Sequence, residues 1–455
     1  MTLVRDGTLR DALGRSWSAR IGVGARLRRD RRTDHRLAPP RRLRAQLFER
    51  ILREVESEGL DGLREPVAAR GRARRVLARA LEERGAPPLS PVERDRLESE
   101  LVAELIGLGP LEPLFADPTV SDVLVNGPDE VWIDRFGRLE RTDVRFDDES
   151  HLRRLLQRMV SAHGRHLDEA SPMVDVRLDD GSRLHALLPP LCPTGPIVSI
   201  RRARTVPLRL DELHANGTLS REMGELLAAA VGSGLNVVVS GGAASGKTTL
   251  LNVVSRFIPL HERVVTVEET AELRLDHPHV LALEARLPNV EGRGEVTVRS
   301  LVRNTLRMRP DRLIVGEVRG PEVFDMLQAM NSGHEGSLTT VHANSAEDAL
   351  RRLENLVLLG GFELPSRAIR ELLAATIHLV VQTTRFADGA RRVTSIGEVR
   401  WRAEELSTQE LYRFEAERAG SGAGRHVATG ARSRFHDRLV RAGWRPAAAE
   451  EGGSR

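Results

Sequence analysis

The sequence predicts an α/β fold: a domain built on a parallel-rich sheet, preceded by an α+β N-terminal domain and a small helical bundle. Three observations carry that reading. From Ser220 to about Val381, apolar strand-like runs alternate with helical patterns, the rhythm of a parallel sheet covered by helices. Within it, the buried-strand pattern Asn236-Val237-Val238-Val239-Ser240 runs straight into a glycine-rich loop and then a helical pattern over 248–257. Between residues 109 and 204, short β-prone runs are separated by turn signals instead.

Taken in chain order, residues 1–40 read as a disordered, arginine-rich head ending at Pro39-Pro40. A helical bundle is expected over 41–108, from amphipathic patterns at 43–58, 67–85 and 91–106. Leu47, Ile51, Leu52 and Val55 recur at helical spacing, and Ser90 before Pro91 and Glu93 is a helix start signal. The α+β domain, 109–206, is expected to hold strands at 120–126, 130–134, 139–144, 174–178, 183–188 and 197–202, with a helix at 149–163. The parallel-sheet domain, 207–417, is expected to hold strands at 236–240, 264–268, 280–284, 313–316, 337–341 and 377–383. A hairpin arm at 391–401 follows the turn Ala387-Asp388-Gly389. Residues 418–455 read as a glycine-serine linker, a short helix at 433–442 and a frayed end.

Composition narrows the class. A chain of 455 residues, 40% hydrophobic and 29% charged, is that of a soluble globular protein with two or three domains. The uncharged stretch 226–246 is long enough to span a membrane, but five glycines and three serines interrupt it. No apolar core follows the N-terminal arginines, so no secretory signal is read and a cytoplasmic location is expected. Cys192 is the single cysteine, which excludes an intramolecular disulfide and a cysteine-based metal site. Residues 1–45 hold 13 Arg against 4 Asp, a local +9 within a net +4. Arginine is enriched along the whole chain, so this head reads as compositional bias and nucleic acid is not expected as a partner.

Of 69 basic residues, one is lysine: Lys247, inside Gly241-Gly242-Ala243-Ala244-Ser245-Gly246-Lys247-Thr248, followed by Thr249. The pattern G-x-x-x-x-G-K-[ST] supplies backbone N–H groups that close around phosphates and an ammonium slim enough to reach between them. A forked guanidinium is a poor substitute there. Hydrolysis also needs a held metal and an aimed water. Val264 to Glu268 is an apolar strand ending in two carboxylates, Glu268 and Glu269, with Glu272 beyond. At the C-terminal edge of a parallel sheet such groups lie beside the phosphate loop, where one can orient water and another can bind metal-bound water. Asp311 to Glu317 is a second buried strand ending in a carboxylate, as a Walker B strand would. His334 and His342, eight residues apart in a β-prone segment, could share one face.

These motifs, in this order, resemble those of the secretion ATPase superfamily, which drives type II secretion, type IV pilus assembly and type IV secretion. Val264 to Leu273 resembles its acidic box, Arg309 to Gly320 its Walker B segment and Gly333 to Asn344 its histidine box. The phrases Leu287-Pro288-Asn289-Val290-Glu291-Gly292-Arg293-Gly294-Glu295, Arg307-Met308-Arg309-Pro310-Asp311-Arg312, Gly107 to Leu114 and Leu167 to Asp175 resemble its CpaF/TadA branch, the motor of tight-adherence (Flp) pili. The resemblance covers roughly residues 90–405.

The resemblance implies a RecA-like P-loop NTPase domain that binds ATP and Mg2+. Lys247 would serve the β- and γ-phosphates, and Thr248 with Glu317 and Glu269 the metal. Glu268 would position water, Glu317 would be the Walker B carboxylate, and His334 and His342 would sense nucleotide state. Family members bring N-terminal-domain arginines to the γ-phosphate; Arg201 and then Arg183 are the candidates here. The acidic box departs from the family in having Glu269 where Asp is commoner. A homo-hexamer at the inner face of the cytoplasmic membrane is implied, docked on integral membrane platform proteins and driving pilin polymerisation or export. The rival readings are a type IV secretion or conjugal-transfer ATPase and, from another class, a nucleic-acid translocase.

Overall fold

The computed structural model describes residues 47–48, 50, 71, 74–79, 89–135, 137–203, 208–286, 288 and 293–445. The expected head, most of the helical patterns at 43–58 and 67–85, and Leu287, Asn289, Val290, Glu291 and Gly292 lie outside them. The chain divides into two compact units between residues 204 and 205.

In the first unit, α1 (Pro91–Ile106) opens on a capping box: Ser90 Oγ accepts from Glu93 N at 3.3 Å, and the Glu93 carboxylate accepts from Ser90 N at 2.8 Å. Its apolar stripe, Leu97, Leu101, Val102 and Leu105, buries against Leu47, Val76 and Leu77 of the helical residues before it. After α2 (Glu112–Ala116) come β1 (Val120–Asn126), β2 (Val131–Arg135), β3 (Arg138–Arg141), α3 (Glu149–Ser161), β4 (Met173–Arg177), β5 (Arg183–Leu187) and β6 (Ile197–Arg201). The strands form one antiparallel sheet in the order β3-β2-β1-β6-β5-β4. Alternation puts Val123, Val125, Ile133, Val176, Leu184 and Ile200 on one face, and α3 covers it with Leu152, Leu155, Leu156 and Met159. Asp148 caps α3 by accepting from His151 N at 2.7 Å.

The second unit runs α4 (Leu210–Ala215), α5 (Arg221–Gly232), β7 (Val237–Gly241), α6 (Lys247–Val254), β8 (Val264–Glu268), β9 (Val280–Glu284), α7 (Val298–Thr305), β10 (Arg312–Val315) and α8 (Glu322–Asn331). It continues with β11 (Leu338–His342), α9 (Ala346–Leu359), α10 (Ser366–Thr376), β12 (Leu379–Arg385), β13 (Arg391–Arg402), β14 (Glu405–Ala416), β15 (Gly424–Ala428) and α11 (His436–Arg441). Sheet order is β15-β14-β13-β12-β7-β11-β10-β8-β9. Strands β12, β7, β11, β10, β8 and β9 are mutually parallel, and β13, β14 and β15 extend the sheet antiparallel from β12. Strands β7, β8 and β10 are buried throughout, which is why their sequences show no polar alternation. Val237 and Val239 enter the core on one face of the sheet, Val238 the core on the other.

Residues 418–432 depart from the linker expectation, whereas the short helix expected at 433–442 is present as α11. Strand β15 pairs with β14, and Leu439 and Trp444 belong to a core cluster. Arg438 Nε donates to Ser233 O at 2.9 Å, and Arg434 N donates to the fully buried Glu398 carboxylate at 3.2 Å. The glycine-serine run is a turn, and what makes Gly424–Ala428 a strand is its distant partner, because its own residues are mostly exposed.

Candidate nucleotide site

Strand β7 ends at Gly241, where a Cβ would collide with Thr383 Oγ1 and Ser245 Oγ, so only glycine fits. The following loop is left-handed at Ala244 (φ 55°) and at Gly246 (φ 101°), which turns the chain into α6. Lys247 opens that helix and is 9% exposed; its Nζ donates to Gly241 O at 3.0 Å and to Gly242 O at 2.9 Å. Burial pulls the ammonium below its ordinary pKa, and nearby Glu317 works in the opposite sense. The next two residues, Thr248 and Thr249, are half-buried, and Thr248 Oγ1 lies 3.5 Å from Glu272 Oε2.

The acidic residues gather at the same edge. Glu268 ends β8, 5% exposed, and its Oε1 accepts from Glu272 N at 2.9 Å and Leu273 N at 3.1 Å, so backbone donors hold the carboxylate. Glu317 follows β10, which lies parallel to β8. Arg319 donates to Glu317 at 2.8 Å and to Glu269 at 3.1 Å; the bond to Glu317 is the main cause raising the arginine's pKa. Glu272, rather than Glu269, is therefore the acidic-box carboxylate against Thr248.

The two histidines are not brought together. His342 ends β11 and pairs in register with Gly241, beside the phosphate loop. His334 precedes the strand at the opposite sheet edge, where Gly336 N and Ser337 N donate to the side chain of Asn236 at 2.7 and 2.9 Å. Gly333 (φ 101°) and Gly336 (φ 81°) break the segment, so the eight-residue offset does not run along one strand. His334 Nδ1 instead lies 3.3 Å from Ala329 O at the end of α8.

Arg183 and Arg201 belong to the first unit and stand directly opposite each other on β5 and β6. Arg201 Nε donates to Asp122 Oδ1 at 3.1 Å, and its side chain is 65% exposed. Sequence reasoning missed Arg319, Thr383 and Arg391 around the loop. Arg319 carried a faint signal, two residues after Glu317; the other two carried none, because they reach the loop only through strand pairing.

Among the described residues no group of three or more His, Cys, Asp or Glu could hold a metal ion by itself. The hydroxyl of Thr248 with the carboxylates of Glu272 and Glu317 is a hard-oxygen donor set. It fits a cation such as Mg2+ that takes one or two protein oxygens and completes its shell with phosphate and water. Also among the described residues, no helix is long and apolar enough to cross a membrane.

The family profile described as Type II/IV secretion system protein matches residues 104–436. A putative conjugal transfer protein of Mycobacterium tuberculosis (strain CDC 1551 / Oshkosh) is 46% identical over 306 residues, covering 66% of this chain and 86% of its own. The type IV secretion system protein VirB11 of Brucella suis is 33% identical over 301 residues, covering 60% and 83%. The crystal structure of the VirB11 ATPase from the Brucella suis type IV secretion system aligns at 30% identity over 64% of this chain and 96% of that one, with a TM-score of 0.35.

Proposed function

The chain belongs to the type II/IV secretion system protein family, and from that premise we propose that it is a Mg2+-dependent ATPase motor of the CpaF/TadA branch, powering pilus assembly. The observation that carries the reading is the gathering of Lys247, Glu268, Glu317 and His342 at the carboxyl edge of one sheet, around a left-handed glycine loop. Loop amides and Lys247 bind the β- and γ-phosphates of ATP. Glu268, immobilised by two backbone donors, orients the attacking water. Thr248, Glu317 and Glu272 would hold Mg2+, which when bound neutralises phosphate charge. His342 reports occupancy of the loop through β11. Such a motor would work as a homo-hexamer at the inner face of the cytoplasmic membrane, docked on integral membrane platform proteins that handle the pilin.

The test is the ATPase rate and assembly size of purified wild type and Lys247→Ala, with and without the membrane partner. Hydrolysis that survives Lys247→Ala at the wild-type rate overturns the assignment.

A second reading changes the cargo. The 46%-identical mycobacterial relative carries the name of a putative conjugal transfer protein, which favours a transfer ATPase. Deleting the gene separates the two: loss of surface pili supports the first, loss of DNA transfer with pili intact the second.

A further inference from the structure

The hairpin of β12 and β13 holds the phosphate loop from the side. Thr383 of β12 pairs in register with Gly241; its hydroxyl donates to Ser240 O at 2.9 Å and lies 2.8 Å from Ser245 Oγ. Two residues further along the same hairpin Arg391 stands opposite Arg385, and its Nε–H donates to Ala244 O at 2.8 Å. The arginine stem also runs beside the loop, with Cδ 3.6 Å from where a Cβ on Gly246 would sit.

That bond falls on the strained residue of the loop. Ala244, at φ 55°, is an alanine in a region that side chains other than glycine occupy only when neighbours hold them there. Its carbonyl and the N–H of Ser245 belong to one planar peptide and point in opposite directions. The N–H faces back into the loop, toward Gly242 O at 3.4 Å. Capturing the carbonyl from outside therefore sets the direction of the amide inside, and inward amides are what make such a loop an anion cradle.

We infer that Arg391 is a positioning residue for the nucleotide: its Nε–H pins the Ala244–Ser245 peptide so that the loop is preformed for the β- and γ-phosphates. The inference rests on the ATP-binding reading above.

Two substitutions isolate the donor. In glutamine the amide nitrogen is bonded to Cδ, the place that Nε has in arginine; in methionine a methyl group sits there. Arg391→Gln thus keeps an N–H and discards the charge, whereas Arg391→Met keeps the length and discards both. ATP and ADP affinities of the full chain are measured by calorimetric titration, kcat and KM by steady-state assay, and Tm without nucleotide by thermal unfolding. Arg391→Met should weaken both nucleotides about tenfold, the effect of one lost charge-assisted hydrogen bond, and raise KM by more than it lowers kcat. Arg391→Gln should stay within about threefold of wild type, and neither variant should change the Tm. Three results overturn the inference: unaltered affinity in Arg391→Met, a loss in Arg391→Gln as large as in Arg391→Met, or a fall in the nucleotide-free Tm that accounts for the weakened binding. No ATP binding by the wild type itself overturns the ATP reading and this inference with it; wild-type binding that Arg391→Met leaves intact overturns this inference alone.

Discussion

The side chain of Glu268 lies against the backbone of Gly316, so closely that a Cβ at residue 316 would fall 2.7 Å from Glu268 Cγ. The glycine that follows β10 is thus what gives the Glu268 carboxylate its room. Gly316→Ala should displace Glu268 from its backbone donors and destabilise the fold by about 1–3 kcal/mol, the usual range for overpacking. ATP binding should persist while hydrolysis falls more than about tenfold. Thermal unfolding and steady-state ATPase assays measure both; wild-type values for the pair would show that the contact is slack.

Glu317→Gln should keep ATP binding and lose hydrolysis by roughly a hundredfold or more, and cells carrying it should lose pilus assembly. A nucleotide-binding scaffold without turnover predicts an intact phenotype instead, so the cellular assay separates motor from scaffold.

The two histidines should behave differently. His342 lies across from Gly241, so His342→Ala should lower single-turnover hydrolysis at saturating ATP. His334 is anchored at the other end of the strand, so His334→Ala should leave that step within about threefold. Equal losses in both would restore the shared-face reading.

His378 makes the second unit sensitive to acid. Burial above all, then Arg434 and Arg438, hold its pKa down to about 4 from 6.5, and its Nδ1 accepts from Asn236 N at 2.9 Å, a bond that needs the neutral ring. The unfolded chain takes up this proton near its ordinary value of 6.5, the folded chain only near 4. The contribution is therefore complete above pH 6.5 and is lost as pH falls toward 4, by a few kcal/mol in order of magnitude. Urea midpoints at pH 7 and pH 5 measure it, and His378→Gln, which keeps an acceptor without titrating, should narrow the difference. An unchanged gap would assign the acid sensitivity elsewhere.

Legibility followed the reach of the forces involved. Strands β1 and β8 fall on the residues that their apolar patterns indicate, because burial writes a local signature. The turn from β7 into α6 was equally legible, because its glycines and Lys247 lie within eight consecutive residues. Strand β15 was not, since its residues are mostly exposed and only β14 makes them a strand. The separation of His334 from His342 turned on two glycines at positive φ, which spacing alone does not reveal. Arg391 reaches Ala244 across 147 residues of chain, and among 68 arginines nothing local distinguishes it.

Lys247 is the sole side-chain amine in the sequence, and it is tucked against two loop carbonyls. An acylating reagent selective for amines therefore meets, apart from the chain terminus, one target, and that target is the cradle. Intact mass then reads occupancy directly: an acyl group beyond the one on the chain terminus marks an open loop, and its suppression by a bound ligand reports shielding without any engineered label.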